Sequence, residues 1–330
     1  MKIAPRVTIA LPVYNGENFI ERAIHSVINQ SFTDFEFIIS DNASTDRTRD
    51  IVKTYQQQDE RIRLIENDQN IGAAANYNVG FLQAKGEYLK WCAHDDEIDP
   101  GHVATLVDKL DSDSRLSLAF GKTICIDAVG QKLPMVGEEM PELLDPDPVA
   151  RFMNAILNAG TCFPIFGLFR RAALEKTMLH LPYYGSDRAL LAEAALMGRF
   201  GCAPEAIFYN RDHGARSINI NDKLTRSLWQ NGAKNRRTAA EHLNLLRHFF
   251  EVSGRHPDIA SPLRIRLALL RYASEPYQLG RYVMELTGLV SPATARLMKR
   301  SADLLARQKK MATEPKFSTA LTKPLKGDPQ

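Results

Sequence analysis

"VTIALPVYNGENFIERAIHSVINQSFTDFEFIISDNASTDRT", residues 7–48, decides the fold. Its first residues are apolar and β-branched until Asn15-Gly16 stops the run, so residues 6–14 read as a buried strand. Residues 17–30 then place Phe19, Ile20, Ala23, Ile24, Val27 and Ile28 on one helical face. "FEFIIS", 35–40, is a second buried strand, and "DNASTD" after it is a loop. In that loop Ser44 or Thr45 is placed to cap a helix opening at Arg47. Two buried strands joined by an amphipathic helix form a β-α-β unit, whose strands must run parallel.

The same alternation continues outward. "IRLIEN" (62–67) is a third strand, "NIGAAANYNVGFLQAK" (70–85) a loop entering a helix, and "EYLKWCA" (87–93) a fourth strand. The fold class expected is therefore α/β, a mostly parallel sheet flanked by helices. Helices are predicted at 100–112 and 148–159, a strand at 117–127, and an acidic, Pro- and Gly-rich loop at 130–150. "YYGSDRALLAEAALMGRFG" opens as a loop and becomes a helix, and "APEAIFYNRDHGARS" is a strand entering a polar loop. Beyond residue 222 only helical patterns follow, and the Lys-, Pro- and Thr-rich stretch 309–330 reads as disordered.

Composition is that of an ordinary globular protein, 44% hydrophobic and 25% charged. No apolar run is long enough for a membrane span, and the N-terminal stretch is read as a first strand, not a signal peptide. The four cysteines, Cys92, Cys125, Cys162 and Cys202, have neither zinc nor redox spacing, which suits a reduced, cytoplasmic setting. Net charge is +3 but unevenly spread. Residues 1–224 hold 23 Lys and Arg against 31 Asp and Glu, whereas 225–330 hold 19 against 8. A basic, largely helical C-terminal part suits an anionic lipid surface, a diphosphate-linked acceptor or nucleic acid, or is simply a solvated face.

Polar residues collect where the strands end: Tyr14-Asn15, Asp41-Asn42, Asn67-Asp68 and Asp95-Asp96. In open parallel sheets, ligands bind outside the carboxyl ends of strands. No G-x-G-x-x-G or G-x-x-x-x-G-K-[ST] loop is present. A bound diphosphate would therefore need a cation, and Mg²⁺ or Mn²⁺ takes one or two carboxylates plus phosphate oxygens. Asp95 and Asp96 stand in the right place, aimed in different directions by strand alternation.

The stretch quoted first, together with "NIGAAANYNVGFLQAKGEYLKWCAHDD" (70–96) and "GSDRALLAE" (185–193), resembles a family 2 glycosyltransferase of the GT-A fold over about residues 6–220. The resemblance implies inverting transfer of a sugar from a nucleotide-diphosphate donor, such as a UDP-sugar, with Mg²⁺ or Mn²⁺. It places Pro12, Tyr14, Asn15, Asp41 and Asn70 at the nucleotide, Asp95 at the ribose and Asp96 on the metal. Asp187 becomes the base, and the segment with Arg211, His213, Arg216 and Ser217 a loop closing over the diphosphate. Two positions depart from the pattern: Tyr77 replaces a common basic residue, and His94 a common first aspartate.

The implied organisation is a GT-A domain at 1–222, with a nucleotide half to about 98 and an acceptor half after it, then a helical extension at 223–308. The expected partners are a nucleotide-sugar and a glycan or lipid-linked acceptor of bacterial surface polysaccharide assembly. Peripheral contact of the basic part with the inner membrane face is expected, and no nucleic acid. Asp187 could also cap the helix that "S-D-R-A-L-L" opens, a role that does not exclude the favoured one as base. Asp46 is expected to brace its loop, Trp91 to lie in the core, and Tyr183-Tyr184 to stack on an acceptor sugar or pack. A nucleotidyltransferase would carry a Gly-rich basic loop where "VYNGENF" stands, and a non-catalytic binder would not need both Asp96 and Asp187.

Overall fold

The computed structural model describes residues 4–135, 137–232, 239–291 and 293–294. The first half alternates as the sequence predicts: β1 (Val7–Val13), α1 (Ile20–Ile28), β2 (Phe35–Asp41), α2 (Thr48–Gln56), β3 (Ile62–Glu66), α3 (Ala73–Leu82) and β4 (Tyr88–Trp91). A two-residue β5 (Glu97–Ile98), α4 (His102–Ser112) and the long β6 (Leu116–Ile126) follow. Then come α5 (Pro148–Leu157), β7 (Leu168–Arg170), α6 (Arg171–Leu174), α7 (Ser186–Met197) and β8 (Arg199–Arg211). The remaining helices are α8 (Lys223–Asn231), α9 (Glu241–Arg255), α10 (Pro262–Ala273) and α11 (Pro276–Val290).

One sheet holds all eight strands in the order β3-β2-β1-β4-β7-β6-β8-β5. Strands β3, β2, β1 and β4 pair in parallel, as do β6 and β8, while β7 and β5 pair antiparallel with their neighbours. Strand β1 is buried along its whole length, which is why it reads as an unbroken apolar run. Its odd-numbered residues Val7, Ile9, Leu11 and Val13 pack with Ile24 of α1 and Leu106 of α4. Ala10 points the other way, into a core shared with Phe152 of α5, Leu190 of α7 and Phe249 of α9. Helix α3 lies so close to β1 that a Cβ on Gly80 would stand 2.5 Å from that of Ala10.

Neither Ser44 nor Thr45 caps α2. The N-cap is Arg47, and the Asp46 carboxylate accepts the Thr48 N–H (3.0 Å) and its hydroxyl proton (2.5 Å). Ser44 faces the other way and accepts the Asn15 N–H at 2.9 Å. The chain divides into two compact units, the first ending at Leu279. Helices α8 to α10 belong to it, so its boundary falls well after residue 222. The second unit starts at Gly280, within α11. The stretch 309–330 lies outside the described residues.

Glu193, fully buried on α7, ties the last part of the first unit to its core. One carboxylate oxygen lies 2.8 Å from His256 Nε2 and 3.0 Å from Arg255 Nε, and the other accepts the Met178 N–H at 2.7 Å.

Candidate active site

A cavity of about 1000 Å³ opens at the carboxyl ends of β1, β2 and β4. It is built first from the turn after β1. Asn15 adopts a left-handed backbone (φ 51°), a conformation asparagine tolerates. Its side-chain oxygen accepts the Thr45 N–H at 2.8 Å, and the Gly16 N–H reaches Thr48 Oγ1 at 2.8 Å. Asp46 also takes the Glu17 N–H at 3.1 Å, so it braces this loop as expected. Asn15 thus fixes the turn from which Pro12 and the half-exposed Tyr14 face the cavity.

Amides form the next wall. Asn42 Nδ2 donates to Asn70 Oδ1 (3.0 Å), which also accepts the Gly72 N–H (2.9 Å). Gly72 has φ +83°, and a Cβ there would meet the Asn231 backbone at 2.6 Å. Only glycine lets the end of α8 close down here, and that approach brings Trp229 to the cavity.

Asp41 sits behind this wall, fully buried and not on the cavity surface. Its Oδ2 accepts from Arg49 Nε (2.7 Å) and the Ser44 N–H (3.0 Å). Its Oδ1 has no hydrogen-bond partner, an unusual cost for a buried carboxylate oxygen.

The adjacent aspartates diverge, though not by strand alternation: β4 ends at Trp91, and His94-Asp95 form a turn that leads to β5. Asp95 Oδ2 lies 2.8 Å from His213 Nε2, and the His213 ring packs on Phe19 with centroids 4.6 Å apart. Burial would raise the pKa of Asp95, but the His213 hydrogen bond and the charges of His94 and His213 outweigh it, holding the group below the usual carboxylate range. Asp96 turns toward β8. Its Oδ1 accepts the Arg211 N–H (2.8 Å) and Asn210 Nδ2 (3.1 Å), and Oδ2 has only a longer 3.3 Å contact from that amide. Burial, then the charge of Asp95, pushes Asp96 well above the usual carboxylate range. His94 lies against Gly16, where a Cβ would come within 2.7 Å of its ring.

Asp187 faces the cavity from the first turn of α7. It does not cap that helix: the N-cap is Gly185, in a left-handed conformation (φ 89°). Asp187 Oδ1 accepts the adjacent Arg188 N–H at 2.9 Å. Burial raises its pKa, opposed in part by that bond and the Arg188 charge. Tyr77, in place of a basic residue, also lines the cavity. Burial, then the charges of Asp95, Asp96 and Asp187, raises its phenol, so all three carboxylates act on one ring.

The loop after β8 divides. His213, Arg216 and Ser217 line the cavity, and Arg216 Nη2 donates to Asn210 Oδ1 at 3.0 Å. Arg211 does not face the cavity. Its guanidinium is fully buried, paired with Glu97 and donating to the carbonyls of Asp95 (2.9 Å) and Asp127 (2.8 Å). It pins the strand end that carries the aspartates.

The tyrosine pair also splits. Tyr183 is buried with its hydroxyl 2.8 Å from His248 Nδ1, whereas Tyr184 lines the cavity 6.3 Å, centroid to centroid, from Trp229. Trp91 is core, as expected. Arg170 and Arg171 donate to backbone carbonyls of Leu116 (2.8 Å) and Gly86 (2.7 Å).

Asn210, Trp229 and Arg188 were not legible as site residues, because each reaches the cavity through tertiary packing. Among the described residues, no group of three or more His, Cys, Asp and Glu is arranged to hold a metal. Asp96 alone fits an ion that takes one carboxylate and draws its other ligands from phosphate and water, which is the habit of Mg²⁺.

The family model described as Glycosyl transferase family 2 matches residues 8–178. The chain belongs to glycosyl transferase family 2. The matched span holds the strand-end residues, while Asp187 and the 211–217 loop lie beyond it. The GalNAc(5)-diNAcBac-PP-undecaprenol beta-1,3-glucosyltransferase of Campylobacter jejuni is 30% identical over 188 residues, 56% of this chain and 58% of that protein. The putative teichuronic acid biosynthesis glycosyltransferase TuaG of Bacillus subtilis is 41% identical over 93 residues, 28% of this chain and 37% of that protein. Each match thus spans less than two thirds of the relative.

The structure of S. aureus TarS 1–349 in complex with UDP-GlcNAc superposes with a TM-score of 0.57 at 18% identity, covering 85% of this chain and 79% of that one. Mannosyltransferase PcManGT from Pyrobaculum calidifontis, in complex with GDP-Man and Mn²⁺, gives 0.52 at 18% identity, covering 94% and 84%. At such identity the likeness is one of fold, and this family 2 glycosyltransferase has the GT-A architecture.

Proposed function

We propose that the protein transfers a sugar, with inversion, from a nucleotide-diphosphate sugar to a hydroxyl of a glycan or lipid-linked acceptor. The observation that carries this reading is the meeting of Asp95, Asp96 and Asp187 around one cavity. The first two follow β4 with no phosphate loop beside them, and the third lies in the first turn of α7.

In this reading the nucleotide lies along the β1 and β2 ends. Tyr14 and Pro12 pack on the base, and Asp41, buried behind the Asn42–Asn70 wall, offers its Oδ1 to an N–H of the base edge only once that wall opens. Uracil, thymine and guanine each offer such a donor, and UDP is the nucleotide favoured here. Asn15 and Asn70 shape that end. Asp95 takes a ribose hydroxyl, on Oδ1 with the His213 contact kept or on Oδ2 with it opened. Asp96 would hold Mg²⁺ or Mn²⁺, which would offset the charge of the departing diphosphate. His213, Arg216 and Ser217 close over that end.

Asp187 removes the acceptor proton as the oxygen attacks the anomeric carbon. A raised pKa brings a carboxylate nearer the range in which a general base works at neutral pH. One base suffices, since a charge-neutralised diphosphate leaves without a strong acid. Tyr184 and Trp229 form an aromatic wall for acceptor sugars. The two named relatives, with a polyprenol-linked glycan and teichuronic acid in their names, support a role in bacterial surface polysaccharide assembly.

Isothermal titration with UDP, GDP and dTDP, each with and without Mn²⁺, tests the donor half. UDP should bind, more tightly with Mn²⁺, and Asp96→Asn should remove most of the Mn²⁺ effect. No binding of any of the three at millimolar concentration would overturn the reading.

A further inference from the structure

We infer that α10 is a membrane-docking helix whose outer face seats on an anionic lipid surface. Helix α10 is apolar on two sides. Ile265, Leu269 and Tyr272 are buried. On roughly the opposite side Leu263, Leu267 and Leu270 are 66%, 58% and 56% exposed. At about 100° per residue these three leucines fall within about 60° of one another. A surface helix normally turns polar residues outward, and a second apolar stripe calls for a second apolar environment.

The rim of the stripe names that environment. Helix α10 holds three arginines and no acidic residue. Arg266 flanks the leucines on one side, and Arg264 and Arg271 on the other. Arg264 is partly neutralised by Asp147, 2.7 Å away, yet its side chain remains 60% exposed. Leucines bordered by arginines suit the boundary between acyl chains and anionic headgroups.

Two other occupants fit worse. A second copy laid on the same face by a two-fold axis would set arginine row against arginine row. Residues 295–330 of the chain carry nine Lys and Arg against three Asp and Glu, a charge that does not complement this rim. No helix among the described residues is long and apolar enough to cross a membrane, so the contact is peripheral. The inference rests on this helix surface and not on the sugar-transfer reading.

The test is co-sedimentation of the full chain with vesicles. One set is phosphatidylcholine, and the other is equal parts phosphatidylcholine and phosphatidylglycerol. Binding is expected to the second set only, and to weaken as salt rises. The triple variant Leu263→Ser, Leu267→Ser, Leu270→Ser should bind at least about tenfold more weakly, since each leucine buries apolar area. Its melting temperature should hold, because the leucines are exposed. Arg271→Glu, which leaves every leucine in place, should also weaken binding.

Equal binding to both vesicle sets, or to neither, would overturn the inference, as would a folded triple variant that sediments like the parent. So would a dimer in sedimentation velocity that the triple variant abolishes. Nucleotide titration of the same samples keeps a failure here distinct from a failure of the transfer reading.

Discussion

Asp187→Asn separates chemistry from binding more sharply than any other substitution in the cavity. The change keeps Oδ1, so the 2.9 Å bond from the Arg188 N–H survives, and Gly185 rather than Asp187 caps α7. The helix start should therefore be undisturbed. What disappears is the proton acceptor. A positioned general base contributes about 10²–10⁴-fold, which at about 1.36 kcal/mol per decade is roughly 3–5 kcal/mol of barrier. The expected result is a fall of that size in kcat at saturating donor and acceptor, with the UDP dissociation constant unchanged within about twofold.

The pH dependence sharpens the test. Burial raises the Asp187 pKa, so the acid limb of kcat/KM should lie above the range of an ordinary exposed carboxylate. The same shift fixes the sign of the stability effect. A group whose folded pKa is raised contributes stability below its unfolded pKa and loses it as pH rises through the folded value. At neutral pH the ionised Asp187 is therefore a small burden, and the Asn variant should melt at the same temperature or higher, with the advantage fading in acid. Turnover within about threefold of the parent would refute the base assignment. Lost UDP binding would instead make Asp187 a donor-binding group.

Three further outcomes follow from the same geometry. Asp96→Asn should raise the melting temperature at neutral pH without divalent ions, since the ionised form of Asp96 is disfavoured first by burial and then by Asp95; a lower melting temperature in calorimetry would contradict this. Glu193→Ala strands the Met178 N–H and His256 in a buried setting, and should cost about 3–5 kcal/mol, a drop of roughly 10 °C in a unit of this size. Glu193→Gln, which keeps an acceptor for Met178, should lose less, and equal losses in thermal melts would show that the charge alone matters. Trp229→Ala should raise the acceptor KM roughly tenfold, about 1.4 kcal/mol, and leave the UDP dissociation constant alone; the reverse pattern in steady-state kinetics and titration would place Trp229 at the donor.

The nucleotide half of the fold was legible because its signals are local. Strand β1 is buried on both faces, so its sequence is continuously apolar, and the face of α1 is written at helical spacing. The strand-end residues were legible for the same reason: topology brings carboxyl ends of parallel strands to one rim. What remained hidden depends on partners remote in sequence. Arg211 sits in a polar loop motif, yet Glu97 and two backbone carbonyls draw its guanidinium inside. Nothing near residue 211 announces that, since the partners lie at positions 95–97 and 127. The α2 cap was misplaced because Ser44 and Asn15 satisfy each other across the loop, leaving Asp46 for the helix. Helices α9 and α10 read as an appendage because their buried faces match the core shared with α5 and α7, not anything beside them in the chain.

The two adjacent aspartates show why the site is built on a strand end. Neighbouring carboxylates in one cavity cannot both ionise easily. Here the turn between β4 and β5 directs them to different partners. Asp95 meets His213, and Asp96 meets the Arg211 N–H and Asn210 of β8. Asp95 is held below the usual carboxylate range and Asp96 is pushed above it, first by burial and then by the charge of Asp95. A cation at Asp96 would offset its buried charge, and a nucleotide that took Asp95 through Oδ2 would displace His213. On the proposed reading the two events would be coupled through one pair of carboxylates. His213 would then be freed for the diphosphate end of the cavity as a donor claims Asp95 Oδ2. On this account His213→Ala should leave Asp95 open: UDP should associate faster in stopped-flow measurements, while turnover falls for want of the closing side chain. Slower association in that variant would show that His213 recruits the nucleotide instead of yielding to it.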